Sequence, residues 1–295
     1  MLELQLMKGS LFENVLEAIL DLVNQASVNC SASTGFSLMA VDTKSVAILS
    51  LLFPSEVFQH YRCDEDCSMG IAIADMVKAL RCANDDDIIT IEADDSNYND
   101  ITLTFESPKK NCTADYDLRL VDAERHRVQI PDWQDLDSKY QAIIRMPSAE
   151  FMHSCKHLSN IGDDVVISVT KEDVTFFASG QSGCLSIVYR QNETLDKSEE
   201  ATATLVDMRE PISLIFDLSY MNSCAKPFAL FDQVTICLST TVPMMVEYKI
   251  KEKGYIRYFM APKVEIEIEE EEERKTENEE AGAEGNKTRG MKMQD

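Results

Sequence analysis

One tryptophan, four histidines, ten glycines and eight prolines in 295 residues leave several kinds of protein without their raw material. Fibrous and low-complexity chains are built on Gly or Pro, so scarcity of both excludes them. Metal-ligand spacing is missing as well. The nearest thiols, Cys63 and Cys67, are followed by neither a second pair nor a histidine cluster. Basic charge is short: 28 Lys and Arg face 52 Asp and Glu, a net charge of -24, so bulk charge does not mark a nucleic-acid binder. No apolar run approaches the roughly 20 residues that cross a bilayer. Glu3 stands where a signal peptide would carry a base. There is no P-loop, no dinucleotide-binding glycine pattern and no marked nucleophile–base motif. The expectation is a soluble intracellular protein with reduced thiols, no membrane partner, no cofactor, no metal and no enzymatic activity. Asp85–Asp87 and Asp163–Asp164 are expected in solvent-facing turns rather than around a cation.

What is present is patterned apolar sequence, 44% of the chain, enough for two ordinary domains. Period-two alternation predicts strands at 2–7, 28–31, 35–40, 45–54, 58–63, 88–92, 101–105 and 112–118. Helical spacing predicts helices at 10–22, with Leu11, Val15, Ala18 and Leu22 inward, and at 74–81. The plan then repeats. Strands are expected at 142–146, 165–170, 174–179, 184–189, 202–207, 212–216, 234–238, 244–250 and 255–260, with helices at 147–159 and 218–226. Four short helices against many antiparallel strands indicate an α+β fold of two similar domains, with the helices on one face and their polar sides lining a common surface.

Between the halves lies a segment with Val128, Ile130 and Pro131 that lacks alternation and is too apolar for a plain spacer. The expected division is therefore an N-terminal domain at 1–118, a connecting segment at 119–135, a C-terminal domain at 136–263 and an acidic tail at 264–295. The tail carries 12 acids and 5 bases, -7 in all, which leaves -17 for the body, and its composition predicts disorder.

Several strings, in order and at near-constant spacing, resemble the proliferating cell nuclear antigen family of eukaryotic sliding clamps. They are Gly9-Ser-x4-Val-Leu-Glu-Ala, Tyr61-Arg-Cys-Asp64, Asp64-Glu-Asp-Cys-Ser-Met-Gly and Ser159-Asn-Ile-Gly-Asp-Asp-Val-Val-Ile-Ser. Val242-Pro-Met-Met-Val-Glu-Tyr-Lys and Arg257-Tyr-Phe-Met-Ala-Pro-Lys263 complete the set. The resemblance implies two similar clamp domains per chain and a closed homotrimeric ring in the nucleus. Such a ring is put on duplex DNA by an ATP-dependent clamp loader. It tethers DNA polymerases and repair factors through short hydrophobic peptide motifs, raising their local concentration.

Carried over residue by residue, the resemblance implies a DNA-facing set of Lys78, Arg81, His153, Lys156 and Lys226, joined by Lys109 or Lys110. It implies a partner-peptide groove from Val41, Ser45, Val46, Ile48, Val128, Ile130, Pro131, Pro243, Phe259, Ala261 and Pro262. Subunit contacts fall on Tyr116, Leu185, Ile187 and Tyr189, and Lys171 matches a family lysine that receives ubiquitin or SUMO. The chain also departs from the family. Glu13, Asn14 and Leu20 stand where lysines are usual, Glu17 and Asp21 add acid to the same helix, and Asn160, Ser45 and Phe259 replace residues common elsewhere. These departures keep a second reading open: a specialised or checkpoint-like clamp subunit, acting mainly as a protein scaffold with weak DNA contact.

Overall fold

A computed structural model describes residues 1–6, 10–84, 86–93, 99–122, 139–191 and 203–263. Most of the connecting segment, including Val128, Ile130 and Pro131, lies outside them, as do the 193–200 loop and the 264–295 tail.

The N-terminal half runs β1 (Leu2–Leu6), α1 (Ser10–Ile19), β2 (Gln25–Ser31), β3 (Gly35–Val41), β4 (Ala47–Phe53), β5 (His60–Cys63), β6 (Cys67–Ala72), α2 (Ile73–Leu80), β7 (Ile88–Ala93), β8 (Asp100–Ser107) and β9 (Cys112–Arg119). The C-terminal half repeats that order element for element. It runs β10 (Ala142–Pro147), α3 (Ser148–Leu158), β11 (Asp164–Val169), β12 (Asp173–Gly180), β13 (Gly183–Arg190), β14 (Leu205–Met208), β15 (Ile212–Asp217), α4 (Leu218–Ala225), β16 (Gln233–Leu238), β17 (Met244–Ile250) and β18 (Gly254–Met260). The chain thus holds two similar α+β domains of antiparallel strands and short helices.

The sheet orders carry the same duplication. The first half forms a five-stranded sheet β5-β1-β7-β8-β9 and a four-stranded run β4-β3-β2-β6; the second forms β14-β10-β16-β17-β18 and β13-β12-β11-β15. β18 pairs with β4, in register from Tyr255↔Leu52 to Met260↔Ala47, and so fuses one unit of each half into a nine-stranded sheet. The corresponding strands at the outer ends, β9 and β13, are sheet edges.

Strand patterning explains the core. In β1, Leu2, Leu4 and Leu6 are buried and the residues between them are half-exposed, the signature of a sheet with one covered face. α1 contributes Phe12, Val15, Leu16 and Ile19. Of the four side chains expected inward, Val15 and Leu22 are buried, while Leu11 and Ala18 are only half-buried and give way to Phe12 and Ile19 at the next positions, a partial offset of the face. Phe12 decides the offset, because its ring packs against Phe36, Phe53 and Phe58 with centroids at 5.2, 5.1 and 6.5 Å. Leu20 is half-buried against the same core and so is not a freely exposed apolar side chain. Two glycines are dictated by crowding. A Cβ on Gly180 would stand 1.8 Å from the Ile161 carbonyl oxygen, and Gly35 combines φ +101° with a Cβ position 2.4 Å from Phe53 O.

Two expectations need correction. Cys67–Ala72 is a strand that alternation did not predict, because Gly70 and an acidic turn interrupt its pattern. Asp87 is 4% exposed rather than solvent-facing. Its carboxylate accepts from the Asn84 backbone and side-chain nitrogens at 2.9 and 2.7 Å, and those bonds hold it below the usual carboxylate range.

Candidate functional site

The helices make one surface. α1 packs beside α2 and α4, and α3 packs beside α4, giving a row α2–α1–α4–α3. Burying Phe151, Cys155 and Leu158 of α3 leaves His153, Lys156 and Asn160 outward, as helical spacing requires. Lys78 and Arg81 are likewise exposed on and just after α2, and Lys226 is partly exposed after α4.

The bases on this row are mostly met by acids. Arg81 reaches from α2 to Glu17 of α1 at 2.5 Å and lies 4.0 Å from Glu13. Lys226 bonds Asp21 at the end of α1. Lys78 bonds Asp75 one turn back at 2.9 Å, and that hydrogen bond raises its already high pKa. Lys109 does the same with Asp86 at 2.5 Å, but sits with Lys110 in the turn between β8 and β9, off the helices. Among the described residues Lys156 has no ion-pair partner. The central helix α1 therefore draws the flanking bases onto itself. Sequence reasoning found Glu13, Glu17 and Asp21, but not whom they would pair with.

A second surface follows from strand register. Ile48 lies opposite Phe259, Ala47 opposite Met260, and Met260 opposite Met244, which brings the β3–β4 turn, the end of β18 and Pro243 side by side. The turn is built by Asp42. One carboxylate oxygen accepts from Val46 N at 2.6 Å and Ala47 N at 2.8 Å, and the other from Lys44 N at 2.9 Å. Ser45 takes φ 58°, uncommon for a residue with a side chain, and Val46 projects with 36% exposure. Tyr220 of α4 donates a further bond to Asp42 at 2.7 Å. Burial alone would raise the Asp42 carboxyl, but the hydrogen bonds from Ala47, Tyr220, Lys44 and Val46 outweigh it and hold it low. Tyr220 is pushed up to about 12, first by burial and then by that carboxylate. Neither Asp42 nor Tyr220 was singled out from sequence.

Val41, Ile48 and Pro262 are half-buried on this patch, and Ser45, Pro243 and Ala261 are exposed. Phe259, expected as a wall, is only 2% exposed. It packs with Tyr140, Cys237 and Met245, and Ile48, Ile143 and Val242 lie partly buried against it. On β18 it points to the opposite side from Tyr258 and Met260, which belong to the main core, and so shares the Ile48 side of the sheet.

The third surface is the pair of edges. Tyr116 is half-buried on β9. Leu185, Ile187 and Tyr189 share one half-buried face of β13, while Val188 points away with 47% exposure. The Tyr189 hydroxyl lies 2.8 Å from Ser154 Oγ on α3 and donates to Glu150 Oε2 at 3.2 Å, so it is engaged within its own chain. Lys171 is exposed in the turn joining β11 to β12.

Residues 1–127 match the family model described as Proliferating cell nuclear antigen, N-terminal domain, and residues 134–263 match Proliferating cell nuclear antigen, C-terminal domain. The two matches together span most of the chain, in the order the duplicated fold requires. The chain belongs to the proliferating cell nuclear antigen family. Proliferating cell nuclear antigens are non-enzymatic scaffolds, and this architecture supports a clamp-like scaffold function. Among the described residues no group of three or more His, Cys, Asp or Glu is placed to hold a metal.

Proposed function

We propose that the chain is a divergent sliding clamp. Three copies close into a ring in the nucleus, a clamp loader places the ring around duplex DNA, and the ring tethers polymerases and repair proteins. One observation carries this reading. The seam inside the chain joins the last strand of a five-stranded unit, β18, to the outer strand of a four-stranded unit, β4. Of the six sheet edges among the described residues, β9 and β13 are the corresponding strands of the other two units. A β9–β13 pairing between copies would repeat the internal seam. Such a head-to-tail contact makes a ring when its rotation closes, and it satisfies edges that otherwise invite aggregation.

In this reading Tyr116, Leu185 and Ile187 back the seam between copies. The Val46, Ile48 and Pro243 patch receives short peptides with aliphatic or aromatic anchors. Lys171 is available for modification. Lys156, His153 and the partly compensated Lys78, Arg81 and Lys226 guide phosphates without reading bases. Retention by topology needs only weak contacts, which a body of net charge -17 permits.

The neutralised α1 favours the scaffold form of this reading, with weaker DNA contact than a typical clamp. Light scattering after gel filtration tests assembly directly: about 100 kDa is expected, three copies of 33.3 kDa. A stable monomer at all concentrations would overturn it. Loaded rings should stay on circular DNA and run off linear DNA, whereas equal loss from both would overturn encirclement.

A further inference from the structure

Outside every surface above, three thiols meet at one end of the N-terminal half. Cys30 of β2 and Cys67 of β6 are directly opposite in the antiparallel ladder. Opposed antiparallel residues hold their Cα atoms about 4.5–5.5 Å apart, within the range a disulfide spans. Cys63, at the end of β5, donates its thiol to the Cys30 carbonyl at 3.5 Å and the Glu65 carbonyl at 3.1 Å. Cys30 and Cys63 are buried, Cys67 is half-exposed, and all three are free thiols. Cys67 is therefore the most accessible of the three to a small oxidant.

From this geometry we infer that Cys67 and Cys30 form a peroxide-responsive thiol pair that closes to a cross-strand disulfide. The electrostatics agree with that division of roles. Hydrogen bonding from Cys30 draws the Cys67 thiol down to about 7, against the opposing effect of burial and with help from Cys63 and the Cys30 N–H. Cys30 is pushed well above the ordinary thiol range, chiefly by that same hydrogen bond and by burial. Cys63 is pushed up to about 11, first by burial and then by Cys67 and Asp66. One thiol is primed as the nucleophile and two remain protonated donors.

The chemistry balances with hydrogen peroxide as the oxidant. The Cys67 thiolate attacks one peroxide oxygen, the O–O bond breaks, and hydroxide leaves with Cys67 as a sulfenic acid. Loss of the negative sulfur removes the charge that held the Cys30 proton. Cys30 then attacks the Cys67 sulfur, the S–O bond breaks, and water leaves with the Cys30 proton as the disulfide forms. The hydroxide takes up the proton that Cys67 gave to solvent on ionising, so two sulfurs are oxidised and one peroxide is reduced to two waters.

The full chain provides the test through internal controls, since Cys82, Cys112 and Cys184 are exposed. Limited iodoacetamide should label Cys67 ahead of the buried Cys30 and Cys63, and labelling of Cys30 first would overturn the inference. Peroxide followed by non-reducing peptide mapping should yield a Cys30–Cys67 linked peptide that dithiothreitol reverses. Cys67→Ser should remove it, and Cys30→Ser should leave a dimedone adduct on Cys67. Wild-type protein whose exposed thiols oxidise while Cys30 and Cys67 stay unlinked would sink the proposal without reference to any variant's folding.

Discussion

The Tyr220 hydroxyl donates to the Asp42 carboxylate across 178 positions of sequence, at 2.7 Å, and ties helix α4 of the second half to the turn that presents Ser45 and Val46 in the first. A hydrogen bond to a charged group contributes about 1.5–3 kcal/mol, so Tyr220→Phe should lower stability by that order in urea unfolding. Asp42→Asn should cost at least as much, because the three backbone bonds of the turn weaken with it. The pH dependence has a sign at each end. Asp42 is held low, so its stabilisation is complete above the unfolded value near 4 and fades as pH falls through the folded one. Tyr220 is raised to about 12, so its stabilisation is complete below roughly 10 and is lost as pH climbs through 12. Unfolding curves of wild type and Tyr220→Phe should converge at both extremes.

The charges on the helix row predict a gain of DNA contact rather than a loss. Glu17→Gln and Asp21→Asn free Arg81 and Lys226, and should steepen the salt dependence of duplex binding by about one phosphate contact each. Stability should move by less than about 1 kcal/mol, the usual worth of exposed ion pairs. Lys156→Ala should flatten the salt slope by a similar step. Fluorescence anisotropy across a salt series measures all three, and unchanged slopes would remove the helix row from DNA contact.

On the peptide patch, Val46→Glu places a charge on an exposed apolar tip and should weaken an aromatic-anchored peptide by tenfold or more, with no change in melting temperature. Calorimetric titration would show it. Phe259→Ala should instead destabilise the protein by about 3–5 kcal/mol, the cost of emptying a buried aromatic site.

Two buried tyrosines should behave oppositely. Tyr248 donates to the Cys224 carbonyl at 3.0 Å, whereas the Tyr258 hydroxyl has no hydrogen-bond partner among the described residues. Tyr248→Phe should cost about 1 kcal/mol, and Tyr258→Phe should be neutral or slightly stabilising. Equal losses in a urea series would show that Tyr258 is satisfied after all.

Sequence alone revealed the element order, because alternation of Ile, Val, Leu and Phe against polar residues reports which side of a strand is buried. It reported nothing about which strand lies beside which. The β18–β4 seam therefore emerged only from the fold, whereas the family resemblance itself points to Tyr116 and to Leu185, Ile187 and Tyr189, on the two strands that are edges here. β6 escaped because Gly70 breaks its period, and the inner face of α1 was partly offset because Leu11 and Phe12 compete for it until the Phe cluster is seen. At the site, the exposed bases were legible by helical spacing, but their partners were not. Arg81 and Glu17 are 64 positions apart, and Asp42 reads as one more acid until its four donors are in view.

The six registered pairs between β18 and β4 also have a mechanical meaning. A force that slides the two halves past each other along the strands loads those rungs in shear, and they must fail together rather than one at a time. Under such a load the chain would act as a stiff strut. In an assembly of several copies, any gap wide enough to admit a duplex would open at a junction between chains. The force needed would then be set by a single edge-strand pairing, leaving the remaining joints as springs that return the gap to closure.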